Sequence, residues 1–237
     1  MLILNLKKHM KKFIAALFVF CAVSFSLNTI CFGQVALFEK TNLNEWIFFT
    51  DKAGVKVDDV FSFTADKVLR CKGQPFGYLA TKENYKNYKL SLEYRWVEGE
   101  KPTNSGIFLR ITDQPDKTFL PKTFEVQLAH NSAGDLWGFH GRTQKAPEGT
   151  DPKRYIERNG GDMTGETKGV KRLVGNEKEP GQWNCVDLLV QNGLIVIVFN
   201  GTIVNWVTDA EVVDGKIGFQ SEGGPIEFRN AVLTVLP

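Results

Sequence analysis

The sequence predicts an all-β protein, an antiparallel two-sheet sandwich of the jelly-roll type. Three observations carry that expectation. Short runs alternate with period two, as where Leu90, Leu92, Tyr94 and Trp96 interleave with Ser91, Glu93 and Arg95. Asn192-Gly193, Asn200-Gly201 and Gly223-Gly224-Pro225 punctuate such runs as turn signals. No long helical pattern and no internal repeat is present.

The chain opens with Lys7, Lys8, Lys11 and Lys12 ahead of the apolar run FIAALFVFCAVSF. A basic start before a short apolar run reads as an export signal, assigned to residues 1–33 with cleavage after Gly33. Met10 begins the more usual form of that signal, MKKFIAALF. The run is too short for a stable membrane span. Cys21 follows Phe20 and Cys31 follows Ile30, so neither has the small residues that lipidation needs. A secreted or periplasmic protein is therefore expected.

Residues 34–237 are enough for one β domain with a proper core. A net charge of +2 gives no electrostatic case for nucleic acid or an anionic membrane. Cys71 and Cys185 are left after cleavage, as a bridge or as two thiols. No CxxC, HExxH or Cys/His cluster points to structural zinc.

In chain order, LFEKTNLNEWIFF holds an aromatic cluster. VFSFTADKVLRCKG reads as two short strands around a turn at Ala65-Asp66. The next long strand ends in LSLEYRW. Its Glu93 and Arg95 face away from Leu90 and Leu92, and are expected to share a surface with Arg110 and Glu125. The stretch Asn104 to His140 organises the rest. In GIFLRI, Ile107, Leu109 and Ile111 share one face, with Gly106, Phe108 and Arg110 on the other. In FEVQLA, Phe124, Val126 and Leu128 share one face, with Glu125, Gln127 and Ala129 on the other. If both aliphatic faces point into a core, Arg110, Glu125 and Gln127 point the opposite way together. Such a cation, carboxylate and amide grip a polyhydroxylated ligand, or simply form a cross-strand salt bridge on a solvated sheet.

From residue 131 to residue 182 the alternation fails, and Gly, Asn, Asp, Lys and Arg dominate. A loop this long inside a domain is usually functional or disordered. Trp137, Phe139, Tyr155 and Ile156 favour order, so an insertion folded over one end of the sheet is expected. The two Asn-Gly pairs then predict three consecutive antiparallel strands, and GKIGFQSEGGPIEFRNAVLTVLP adds two more.

Several separated stretches resemble one family in order. They are YLATKENYKNYKLSLEYRW, NSGIFLR, FEVQL, EKEPGQWN, FNGTIVNWV and GKIGFQSEGGPIEFRN, and they span almost everything after the signal. The chain resembles the secreted bacterial 3-keto-disaccharide hydrolases, long catalogued as a domain of unknown function. The resemblance implies a concanavalin A-like jelly roll related to laminarinases and legume lectins. It also implies action on glycosides whose sugar already carries a ketone at carbon 3. Where that family often has an aspartate after the FEVQL-like strand, this chain has Ala129-His130-Asn131.

With that implication, Glu125 is the candidate general base or metal ligand, and Arg110 the clamp on an enolate or hydroxyl oxygen. His140 is a candidate acid–base group. Gln127 offers both donor and acceptor to hydroxyls. Glu222 is the candidate second carboxylate. Trp137 and Phe139 are candidates for stacking on a sugar ring or for capping the core. Glu93 and Arg95 complete the candidate binding surface. Asn104 and Ser105 are read as shaping the turn before Gly106. No cofactor is required by the pattern, although a divalent ion such as calcium is compatible with it. The expected partner is an oxidised disaccharide or glycoside. A non-catalytic glycan-binding module and an ordinary glycosidase with paired carboxylates remain alternatives.

Overall fold

In a computed structural model, residues 33–114 and 120–237 are described; the export signal assigned to residues 1–33 lies almost wholly outside them. Gln34–Pro237 forms one unit built from two antiparallel sheets of eight strands. One sheet runs in the order β14 (Thr202–Val207), β13 (Leu194–Phe199), β12 (Asn184–Gln191), β6 (Tyr88–Trp96), β16 (Ile226–Val235), β4 (Leu69–Cys71) and β3 (Phe61–Phe63). Its eighth strand, β1 (Gln34–Ala36), pairs with β16. This is the back sheet. The front sheet runs β10 (Tyr155–Asn159), β11 (Glu166–Val170), β9 (Leu136–Gly138), β8 (Lys122–Gln127), β7 (Gly106–Asp113), β15 (Lys216–Ser221), β5 (Gly77–Ala80) and β2 (Ile47–Thr50). Two four-residue helical turns, Val57–Val60 and Gly161–Thr164, are the α-helix among the described residues.

The predicted alternation builds the core. Leu90, Leu92, Ile107, Leu109, Val126 and Leu128 are all buried, in one cluster with Tyr94, Trp96, Phe124 and Phe228. Each such side chain removed from water contributes about 1.5–3 kcal/mol. The hairpin signals also hold. Asn192 and Gly193 have φ of 45° and 82°, and Asn200 and Gly201 have 49° and 78°. Positive φ at both central residues is the geometry that matches strand twist, and Asn-Gly tolerates it.

Two expectations are corrected. Ile111 does not share the core face of Ile107 and Leu109, because β7 bulges at Arg110, where φ is 56° and the register with β8 shifts between Leu109 and Asp113. The extra residue turns Ile111 outward, onto Phe108 and Leu120. The 131–182 segment is not a cap over one end of the sheet. It supplies β9, β10 and β11, which widen the front sheet sideways. These strands are three to five residues long and rich in Gly and charge, too short for a period to register.

Cys71 is buried and Cys185 exposed, with β6 and β16 between their strands. Three strand spacings, about 14 Å, exceed the reach of a disulfide.

Candidate active site

The outward face of the front sheet carries the site, and the register places it. One row crosses all eight strands: Ile156, Gly169, Trp137, Glu125, Phe108, Gly218, Ala80 and Ile47. Two residues along lie Gln127 opposite Gly106, and Gln220 beside Tyr78 and Phe49. The next row is the bridge between Asn104 and Glu222. Glu125 therefore sits amid an apolar floor of Phe108, Tyr78 and Trp137, with polar groups on one side only.

The Glu125 carboxyl leans over Gly106. A Cβ at residue 106 would stand 2.8 Å from its Cγ and 2.9 Å from its Cδ, and nearer still to Oε1. Glu125 is 2 % exposed, and its Oε1 has no hydrogen-bond partner among the described residues. Burial, reinforced by the charge of Glu222, pushes its acidity well above the usual carboxylate range. Glu222 is raised too, by burial, but hydrogen bonds from Asn104 and Gln220 pull the other way. Gln220 Nε2 donates to Glu222 Oε2 at 2.7 Å. Glu222 is thus held by donors that oppose its shift, so Glu125 holds its proton the more tightly of the two.

Binding Glu222 through their amide nitrogens leaves the carbonyl oxygens of Gln220 and Asn104 buried and unpartnered. The cluster therefore offers one acidic O–H and two free acceptors. Gln127 is beside them, but its Oε1 already accepts from Leu128 N at 3.0 Å and Ala129 N at 2.9 Å, which leaves its NH2 for a ligand. Trp137, directly opposite Glu125, lies over Gly169, where a Cβ would meet ring Cδ2 at 3.1 Å and other ring carbons closer. Arg158 stands 5.1 Å from that ring's centroid.

The remaining residues singled out in the sequence lie elsewhere. Arg110, fully buried at the bulge, donates from Nε and Nη2 to Lys86 O at 3.2 and 2.8 Å, and from Nη1 to Glu211 O at 2.7 Å. Its guanidinium ties loops at the far end of the sandwich and does not join Glu125. His140 holds Leu120 O through Nε2 at 3.0 Å, and burial lowers its proton affinity. Phe139 N bonds Thr123 O, so His140 is level with Lys122. That is about 10 Å along the strand from Glu125, on the side away from Glu222. Phe139 is buried against Phe108 and caps the outer cluster. Glu93 and Arg95 lie on β6, in the back sheet. Glu93 accepts from Arg229 Nε at 2.9 Å, and Arg95 Nη2 stands 2.7 Å from Glu227 Oε2. They form cross-strand ion pairs in register on the opposite outer face, not part of the Glu125 surface. Gln220 and Asn104 went unread as site residues, although each lies two residues from Glu222 or Gly106 on the same pleat face.

The oxygens of Glu125, Glu222, Gln220 and Asn104 are the donor type a calcium ion takes. No group of three His, Cys, Asp or Glu side chains that could hold an ion occurs among the described residues. Nor is any helix among them long and apolar enough to cross a membrane.

The profile of the family described as the 3-keto-alpha-glucoside-1,2-lyase-like domain matches residues 33–234. The chain belongs to this family. No curated protein matches the chain. Among solved structures, a putative glycosyl hydrolase from Parabacteroides distasonis is 21 % identical, covering 86 % of this chain and 100 % of that one, with a TM-score of 0.57. A second from the same organism is 16 % identical over 90 % and 98 %, with a TM-score of 0.59. The carbohydrate binding module CBM66 from Bacillus subtilis is 8 % identical over 80 % and 95 %, with a TM-score of 0.54. At these identities the likeness is one of fold. The 3-keto-alpha-glucoside-1,2-lyase-like domain here is a jelly-roll sandwich with a carbohydrate-active role, and its front face bears a carboxyl pair, Glu125 buried and Glu222 half-buried.

Proposed function

We propose that this protein hydrolyses glycosides bearing a ketone at sugar carbon 3, by elimination followed by hydration, outside the cytoplasm. The observation that carries the reading is Glu125, a buried carboxyl with an unpartnered Oε1 and a raised proton affinity, beside a second, hydrogen-bonded carboxyl. A carbon 3 ketone acidifies the hydrogen on carbon 2. Glu222 removes that hydrogen as a proton, and the electron pair moves onto the ketone oxygen. Glu125, still protonated, donates to that oxygen as charge builds there, the part a neutral carboxylic acid plays in an apolar site. The enolate then expels the oxygen on carbon 1, to which the proton collected by Glu222 is available. Water adds across the resulting double bond, so the net change is hydrolysis. The free acceptors on Gln220 and Asn104 suit hydroxyl donors on the same ring.

Paired carboxyls of unequal acidity also support a second reading, an ordinary glycosidase with one acid and one base. Purified protein offered 3-keto and unoxidised disaccharides separates the two. Free sugar from the 3-keto substrate alone supports the elimination route, and equal cleavage of both overturns it. Export rests on the basic, apolar start of the chain. Mass spectrometry of the protein from its native host should find Gln34 at or near the amino terminus; an intact Met1 or Met10 contradicts it.

A further inference from the structure

Two glycines on the outer face of the front sheet need an explanation, Gly106 at the start of β7 and Gly169 inside β11. Gly106 and Gly169 face Gln127 and Trp137 across strand ladders. A glycine inside a strand is destabilising, by roughly 0.5–1 kcal/mol relative to alanine, unless something else requires it. Backbone conformation does not require it here: neither residue has positive φ, unlike Gly193 or Gly223. What each lacks is room for a Cβ. At residue 106 the space is filled by the Glu125 carboxyl, with Cγ at 2.8 Å and Cδ at 2.9 Å. At residue 169 it is filled by the Trp137 ring, with Cδ2 at 3.1 Å. The rest of the row differs. The vacant Cβ of Gly218 would meet Ile111 Cδ1 at 2.8 Å, an ordinary packing neighbour.

We infer that Gly106 and Gly169 are positioning residues, the first seating the Glu125 carboxyl between Gln127 and Gln220, the second laying the Trp137 ring flat beside it. The inference rests on the proposed role of Glu125, but its geometry is testable without turnover. Both neighbours of the Glu125 carboxyl in that row, Gln127 and Gln220, are neutral. The facing β7 and β9 residues, Phe108 and Trp137, are neutral too, so Glu222 is the charged group bearing on it.

Gly106→Ala forces the carboxyl off its seat. A displacement of about 1 Å at a reacting group costs on the order of a hundredfold in rate. The expected result is a kcat on the 3-keto substrate lowered by about that factor, with KM changed far less, and a shifted pH–rate profile. Carbon-13 NMR of Glu-labelled protein should show the Glu125 titration moved in Gly106→Ala, whether or not any substrate turns over. Shortening the side chain gives the rescue: Gly106→Ala with Glu125→Asp should recover part of the loss, rather than multiply the two defects. Should Gly106→Ala fold poorly, Glu125→Ala in the same chain should restore its stability by emptying the contested space. Gly169→Ala should raise KM several-fold and shift Trp137 fluorescence, leaving the Glu125 titration in place. An unmoved titration in Gly106→Ala with no rescue by Glu125→Asp overturns the positioning role, even if 3-keto turnover is confirmed. Absent turnover with a moved titration overturns the proposed activity and leaves the seat standing.

Discussion

A buried carboxyl with an oxygen left unpartnered disfavours its own ionisation, and Glu125, through Oε1, is in that position. The consequence for stability has a definite sign. Its folded acidity lies above the unfolded carboxyl value of about 4.3, so between those values the folded state binds more protons than the unfolded one. Stability is therefore fully present below about pH 4.3 and is lost as pH rises through the folded value. Glu125→Gln keeps the shape and removes the titration. It should unfold at a higher temperature than wild type at pH 7, with the gap closing toward pH 4, while kcat falls on the order of a hundredfold or more. Thermal melts across that pH range check it. A melting difference independent of pH would show that Glu125 is not held neutral in the fold. The shared face of Glu125 and Gln127 was legible in the sequence, because the pleat sorts side chains without any knowledge of tertiary contacts; Glu222 and Trp137 were legible only as residue types at a strand end and in a loop. The partners that set their acidities, Gln220 and Asn104, were legible only as pleat-face neighbours, since nothing local says which amide meets which carboxylate.

At the scale of elements, the bulge in β7 decides what Arg110 does. A strict period of two places Arg110 on the Glu125 face; one inserted residue with positive φ takes it off that face and sends Ile111 there instead. Gly215 packs so closely against this bulge that a Cβ there would stand 2.6 Å from Arg110 Cα. The guanidinium then satisfies the carbonyls of Lys86 and Glu211. Arg110→Ala removes the donor to both part-buried oxygens and empties the space of a fully buried side chain, at a cost of about 2–4 kcal/mol. The expected outcome is a lower urea midpoint with kcat per folded molecule nearly unchanged, measured on the same preparation. A large fall in kcat without loss of stability would return Arg110 to the chemistry. Long strands and Asn-Gly hairpins were readable because their periods and turn residues are local. The bulge and the three short strands β9, β10 and β11 were not, since a single inserted residue and strands of three to five residues leave no periodic trace.

Across the whole molecule, the two outer faces of the sandwich are built for different purposes. The front face carries a carboxyl pair among unpaired buried oxygens of Glu125, Gln220 and Asn104. The back face carries charges that already satisfy one another: Glu93 with Arg229, and Glu227 between Arg70 and Arg95. Trp183 lies there under two guanidiniums, Arg229 at 4.0 Å and Arg95 at 4.5 Å from its centroid. Paired sheets stack about 10 Å apart, with a packed apolar layer between, so a charge on one outer face has little purchase on the other. Half-exposed ion pairs of this kind contribute at most about 1 kcal/mol each. Arg95→Ala and Glu93→Gln should therefore lower stability slightly and change kcat/KM by less than about twofold, as their removal touches no reacting group. Glu222→Gln, on the other face, exchanges a carboxylate for an amide where Gln220 and Asn104 both donate, and should lower kcat/KM by at least about a hundredfold. Steady-state kinetics on the three variants with one 3-keto-glycoside decides the matter. Loss of turnover in the back-face pair with Glu222→Gln still active would move the active face to the other side of the sandwich.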